Sequence, residues 1–175
     1  MSHAILALGS NLGDREATLR AGVAGIAAID GVAVDAASRI VETPALKPEG
    51  VDPDAPAYLN AVVAVTTTLD PHELLSALNE VERSLGRVRD TRWGDRTLDI
   101  DIITFDALTV DTDRLTIPHP RAADRAFVLA PWLDVEPDAT LPARGRIADL
   151  LAQTGESPTP FAAEPLAPTF GMNQL

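Results

Sequence analysis

At 175 residues, 46% apolar and 23% charged, the chain is sized for one domain with its own core, and its composition excludes global disorder. It contains no cysteine, which excludes disulfides, thiolate catalysis and cysteine-ligated zinc. A formal net charge of −12 argues against a sequence-independent grip on nucleic acid or an anionic membrane. With neither a secretory leader nor an apolar run of membrane-spanning length, a cytoplasmic protein is expected.

His3 to Gly9 reads as a short buried strand, stopped by the run Gly9-Ser10-Asn11, which is read mainly as a tight turn. Asp14 to Ile29 has helical character, and Val32 to Glu42 is the second strand candidate. Prolines 44, 48, 53 and 56 make the next stretch a loop. Tyr58 to Leu69 is strand-like, and Asp70-Pro71-His72-Glu73 is a helix start, with an N-cap acid, proline at the first helical position and an acid at the third. That helix runs through Leu74, Leu78, Val81 and Leu85 and stops at Gly86. An arginine-rich loop follows, then a fourth strand from Leu98 to Phe105.

The order strand-helix-strand, strand-helix-strand predicts an α+β fold of the split βαβ, ferredoxin-like kind: an antiparallel sheet with helices on one face. Arg125 to Leu133 and Ile147 to Gln153 read as two further short helices. Residues 1–153 are therefore expected to form one domain, and 154–175, with four prolines, an extended or disordered tail with little to bury.

Asp99-Ile100-Asp101 is the sharpest chemical feature. Residues two apart on a strand share a face, so Leu98, Ile100 and Ile102 can enter the core while the two aspartates stand together opposite them. Two carboxylates so close repel unless a proton or cation lies between them, and an all-oxygen donor set suits magnesium. Alone, the pair reads equally well as two solvated aspartates. Immediately before it, however, lie Arg87, Arg89, Arg92 and Arg96 with Trp93, on a loop bounded by Gly86 and Gly94. Guanidinium forks suit phosphate oxygens and an indole can stack on a flat ring, so the loop could close over a metal-bound polyphosphate. No G-x-x-x-x-G-K-[ST] phosphate loop is present.

The run from Arg92 to Ile103, Arg-Trp-Gly-Asp-Arg-Thr-Leu-Asp-Ile-Asp-Ile-Ile, resembles the signature of the 6-hydroxymethyl-7,8-dihydropterin pyrophosphokinases of folate biosynthesis. Gly9-Ser10-Asn11, Thr43-Pro44, Tyr58-Leu59-Asn60, Glu82 to Arg89 and Leu115-Thr116-Ile117-Pro118-His119 follow in that family's order, and the family's fold is ferredoxin-like. Asp95 departs from the family's usual proline or small residue, Lys47 from its frequent glycine, the loop 45–57 is longer, and the segment 89–92 is one residue short.

The resemblance implies transfer of the terminal diphosphate of ATP to the hydroxymethyl group of the reduced pterin, releasing AMP. Two magnesium ions on Asp99 and Asp101 are implied as cofactors, with ATP as co-substrate, and the catalytic set is Arg87, Arg96, Asp99 and Asp101. Metal activation of the hydroxyl, assisted by Asp101, takes the place of a histidine base. By the same resemblance, Glu82, Arg87, Arg89, Arg92, Trp93, Arg96, Ile102, Arg114, Leu115, Thr116, His119 and Arg125 contact the nucleotide. Thr43, Pro44, Leu46, Tyr58, Asn60, Trp93, Asp99 and Phe127 contact the pterin. Tyr58 and Asn60 share a strand face, which sets an aromatic surface beside an amide. A monomer acting on small molecules is expected. The alternatives are a non-catalytic ferredoxin-like ligand- or metal-binding regulator and a nucleotidyltransferase, although Ser10 and Asp99 are too far apart for the latter's usual spacing.

Overall fold

The computed structural model describes residues 1–47, 49–86, 97–161, 163–164 and 166, with the backbone alone for Leu46 and Lys47. In chain order the elements are β1 (Ser2–Ser10), α1 (Arg15–Ala27), β2 (Val32–Ala37), β3 (Val41–Thr43), β4 (Leu46–Lys47), β5 (Gly50–Val51), β6 (Tyr58–Thr67) and α2 (Pro71–Ser84). Then come β7 (Asp99–Phe105), β8 (Val110–Asp111), β9 (Thr116–Ile117), α3 (Ala126–Val135), β10 (Thr140–Leu141), β11 (Gly145–Arg146), α4 (Ile147–Thr154) and β12 (Thr159–Pro160).

The apolar run of β1 is buried on both faces, as a central strand requires, and it pairs antiparallel with β6 on one side and β7 on the other. On the far side of β6 lie both β2 and β3, also antiparallel, and β12 joins β3 at the edge. The stretch expected as one strand from Val32 to Glu42 is thus two. The register shifts between Val34 and Ala36, and at Ser38 the side chain replaces a rung of the ladder. The Ser38 hydroxyl accepts from Val62 N at 2.9 Å and donates to its neighbour Arg39 O at 2.7 Å, while Ser38 N donates to Val62 O at 2.9 Å. A bulge of this kind bends the edge strand.

Both long helices lie on one face. Leu6, Leu8, Leu59, Val63, Ile100 and Ile102 of the sheet meet Leu19, Val23 and Ile26 of α1 and Leu74, Leu78 and Val81 of α2. Gly25 lets the helices close together, since a Cβ there would stand 2.7 Å from Val81 Cγ1. α2 starts as its sequence dictates: Asp70 accepts from Glu73 N at 2.9 Å and Glu73 from Asp70 N at 2.9 Å, a reciprocal capping box. The opposite face is covered by the two short helices, with Ile5, Val62, Ala64 and Ile103 against Val128, Leu129 and Trp132 of α3 and Ile147 and Leu150 of α4.

The segment beyond Thr154 departs from the expectation that it has little to bury. Thr159 and Pro160 pair with Glu42 and Val41, Phe161 N donates to Ile40 O at 3.0 Å, and Leu166 is 7% exposed within the main core. Proline is tolerated in β12 because the strand is at the sheet edge, where a missing N–H leaves no rung unfilled. No helix among the described residues is long and apolar enough to cross a membrane.

Candidate active site

α3 and α4 cover only part of their face of the sheet. At its other end the antiparallel register sets three residues in one row across β6, β1 and β7: Asn60 opposite Gly9, and Gly9 opposite Asp99. Ser10 lies within β1, so the Gly-Ser-Asn run expected to make a turn instead carries the strand to its end. Gly9 needs no unusual backbone; its reason is space. A Cβ there would stand 3.1 Å from Asn60 Oδ1, closer than such contacts ordinarily come. The bare rung leaves a flat window between the Asn60 amide and the Asp99 carboxylate, spanning roughly 10 Å across two strand spacings. Sequence reasoning missed Gly9, although a glycine within a strand pattern is itself the signal of close approach by another group.

Asp99 and Asp101 project from the same face of β7, half-buried, while Ile100 and Ile102 between and beyond them are buried in the core. Glu82 secures this stretch from the other face: it is 1% exposed at the end of α2, and its Oε1 accepts from Ile100 N at 2.7 Å. Expected as a nucleotide contact, Glu82 is instead buried as a tie between α2 and β7. Ile102 and Leu115 are likewise core side chains, 3% and 8% exposed, so only their backbones could meet a ligand.

His119 comes to the carboxylates from the loop after β9. Its N donates to Ile103 O at 2.9 Å, and its ring Nε2 stands 3.9 Å from Asp101 Oδ2. Burial first, then the Arg125 and Arg121 guanidinium groups, push its pKa down to about 4 against the opposing pull of Asp99, so the ring is neutral near pH 7. Nδ1 accepts from Arg121 N at 3.2 Å, which assigns the single ring proton to Nε2. His119 therefore offers a donor beside Asp101 rather than a free lone pair. Arg125 is the adjacent cation, its pKa lowered by burial, raised by Asp101, lowered by Arg121 and raised by Asp99; its Cζ lies 5.5 Å from the Phe127 ring centroid.

Among the described residues no group of three His, Cys, Asp or Glu side chains forms a metal cage. The donor set at β7 is two carboxylates with no ring nitrogen available. That fits a hard cation such as magnesium, which keeps most of its positions for water and phosphate oxygens.

On the Asn60 side, Asn60 Nδ2 donates to Thr43 Oγ1 at 3.0 Å, and Tyr58 is half-buried opposite Thr43 in the β3–β6 register. Pro44 is exposed next to Thr43, and the Leu46 side chain is outside the described set. Arg114 is not brought to the carboxylate pair: its Nη2 is 3.5 Å from Ser76 Oγ, and it lines a groove on α2 with His72 and Glu73. Thr116 is exposed on β9. Arg87, Arg89, Arg92, Trp93 and Arg96 lie outside the described residues.

Residues 5–137 match the family model described as 7,8-dihydro-6-hydroxymethylpterin-pyrophosphokinase. The chain is 43% identical over 141 residues to the 2-amino-4-hydroxy-6-hydroxymethyldihydropteridine pyrophosphokinase of Methylorubrum extorquens, covering 81% of this chain and 87% of that one. It is 44% identical over 132 residues to the Bacillus subtilis protein of the same name, covering 75% and 77%. Among solved structures it resembles the wild-type HPPK-DHPS of Plasmodium falciparum with pteroate, at a TM-score of 0.67 and 14% identity, a likeness of fold. That match covers 87% of this chain but only 44% of the Plasmodium chain.

Proposed function

The chain belongs to the 7,8-dihydro-6-hydroxymethylpterin-pyrophosphokinase family, and from that membership we propose how its own residues carry the reaction. It is an ATP-dependent pyrophosphokinase of folate biosynthesis, moving a diphosphate from ATP to the hydroxymethyl group of the reduced pterin and releasing AMP. The architecture is the ferredoxin-like split βαβ: the order β7-β1-β6-β2, with every neighbour antiparallel, supports that reading. It acts as a cytoplasmic monomer.

The observation that carries the site assignment is the row Asn60-Gly9-Asp99. The pterin lies over the bare Gly9 rung, its heterocycle edge on Asn60 and Thr43 and its face against Tyr58, with Phe127 on the Arg125 side. Its hydroxymethyl group then points at Asp99 and Asp101, which would hold the magnesium. Bound magnesium supplies charge neutralisation for the polyphosphate and a lowered pKa for the attacking hydroxyl. The neutral His119 donates its Nε2–H to a phosphate oxygen, and Arg125 and Arg121 add positive charge where the diphosphate moves. The nucleotide passes along the backbone at Ile102 and Leu115 toward Thr116 and Arg114. Arg87, Arg89, Arg92, Trp93 and Arg96 complete the phosphate and ring contacts, with Arg87 and Arg96 in the catalytic set.

The test is paired. Asp99→Asn and Asp101→Asn each remove a charge at nearly constant shape and relieve repulsion between the carboxylates. Without metal, the melting temperature should change little, because relief of that repulsion is set against the lost attraction of each carboxylate to Arg125. Single-turnover AMP formation at saturating magnesium should fall about a thousandfold, the equivalent of ~4 kcal/mol of transition-state stabilisation. Near-normal turnover in both variants would remove the metal site.

A further inference from the structure

Thr43 and Tyr58 face each other in the β3–β6 register, yet the chain between them leaves the sheet from Pro44 to Ala57. A two-residue turn would fix the register of such a pair; a connection this long does not. What closes the gap is Arg15. Its Nη1 donates to Glu42 Oε2 at 2.8 Å and to Ala57 O at 2.7 Å. Those acceptors are the residues just before Thr43 and just before Tyr58, so one guanidinium clasps both ends of the excursion.

Helix energetics give no reason for an arginine there. Arg15 is the first residue of α1, where the positive end of the helix dipole disfavours a cation. The N-terminus is already capped by Asp14, which accepts from Ala17 N at 3.0 Å. The guanidinium is held from a third direction by Phe161, whose ring centroid is 5.9 Å from Arg15 Cζ. Phe161 follows β12, whose Thr159 is paired with Glu42, the residue that Arg15 binds. A second tie brings the same segment to α1, because Arg20 Nη2 donates to Glu164 O at 2.7 Å. Phe161 lies beyond the residues 5–137 that match the family model, so this support is a feature of the chain's own C-terminal segment.

We infer that Arg15, steadied by Phe161, is a positioning residue for the pterin subsite: it sets the spacing of Thr43 and Tyr58 without touching the substrate. The inference rests on the assignment of Thr43, Tyr58 and Asn60 to the pterin. Nothing in the clasp reaches Asp99, Asp101 or His119, so ATP binding should be indifferent to it.

The experiment measures KM for the reduced pterin and for ATP separately in Arg15→Met, Phe161→Ala, Phe161→Tyr and Asn60→Ala, with melting temperatures to confirm that each is folded at the assay temperature. Methionine keeps much of the apolar stem but has no N–H for either acceptor, and alanine removes the ring under the guanidinium. Both should raise the pterin KM roughly tenfold, within the range by which residues off a ligand tune its site, with the KM for ATP unchanged. Phe161→Tyr keeps the ring and should restore the pterin KM. An unchanged pterin KM in Arg15→Met and Phe161→Ala, with Asn60→Ala raising it, would overturn the clasp while leaving the subsite in place. A rise in both KM values together, tracking lost stability, would reduce Arg15 to a structural role and overturn it as well. If Asn60→Ala itself left the pterin KM unchanged, the subsite assignment would fail, and the clasp's purpose with it.

Discussion

His119 gathers more physical constraint than any other single residue at the site. Its backbone is tied to β7 through Ile103 O, its Nδ1 accepts from Arg121 N, and its Nε2 faces Asp101. In the folded protein it stays neutral down to about pH 4 because it is buried beside two arginines, whereas an unfolded histidine takes up a proton near its ordinary 6.5. Between those values the unfolded chain binds more protons, so stability rises with pH there. The contribution is complete above about 6.5 and is lost as pH falls toward about 4, by up to ~3 kcal/mol for a shift of this size. Metal-free urea denaturation of the protein and of His119→Asn, compared above and inside that window, should show the wild type losing its advantage as pH drops. Parallel profiles would show that the buried ring does not titrate with folding. Sequence places His119 only through its motif. Its burial comes from the loop's return to β7, a contact between distant parts of the chain that no local pattern encodes.

At the scale of elements, a buried charge-assisted hydrogen bond ties α2 to β7. Leu74, Leu78, Val81 and Glu82 are the buried positions of α2, so the helix gives a core place at its last turn to a carboxylate. That carboxylate accepts from Ile100 N, between the two aspartates, and so fixes the strand segment that carries them. Glu82→Gln keeps the shape but weakens the acceptor and should cost about 1 kcal/mol, whereas Glu82→Ala leaves a buried N–H unsatisfied and should cost roughly 3 kcal/mol. Urea midpoints check this, and a glutamine or alanine variant as stable as the wild type would remove the tie. Local rules made the start of α2 readable, since Asp70, Pro71 and Glu73 are a capping signal in four residues, and the same held for the alternation around Asp99. The split of β2 from β3 was not readable, because Ser38 looks like any strand serine until its hydroxyl is seen standing in for a backbone rung at Val62. Gly9 was misread for a related reason: strand length depends on the partner, and β6 and β7 continue opposite Ser10 and Gly9.

Over the whole molecule, the sheet separates two cores, and the site occupies the end of the second face that α3 and α4 leave open. The C-terminal segment belongs to the other side of this division, and composition hid it: proline density signals poor packing, while the packing here comes from a few residues pressed onto an existing edge. Thr159 and Pro160 add to β3, Phe161 covers Arg15, and Leu166 enters the main core. Removal of residues 156–175 takes away all three. Burial of one leucine side chain is worth about 2 kcal/mol, and the lost edge pairing and Phe161 contacts add roughly 1 kcal/mol more. For a chain of this size ~3 kcal/mol corresponds to a fall of about 6–12 °C in melting temperature. Leu166→Ala in the full-length protein should reproduce much of the loss, at about 2 kcal/mol or more, because it opens a cavity in the main core rather than trimming a tail. Differential scanning calorimetry of both variants decides the matter. An unchanged melting temperature in the truncated protein would mean that the segment rests on the domain without stabilising it. A large loss on truncation with none in Leu166→Ala would move the stabilisation from the core contact to the edge strand and Phe161.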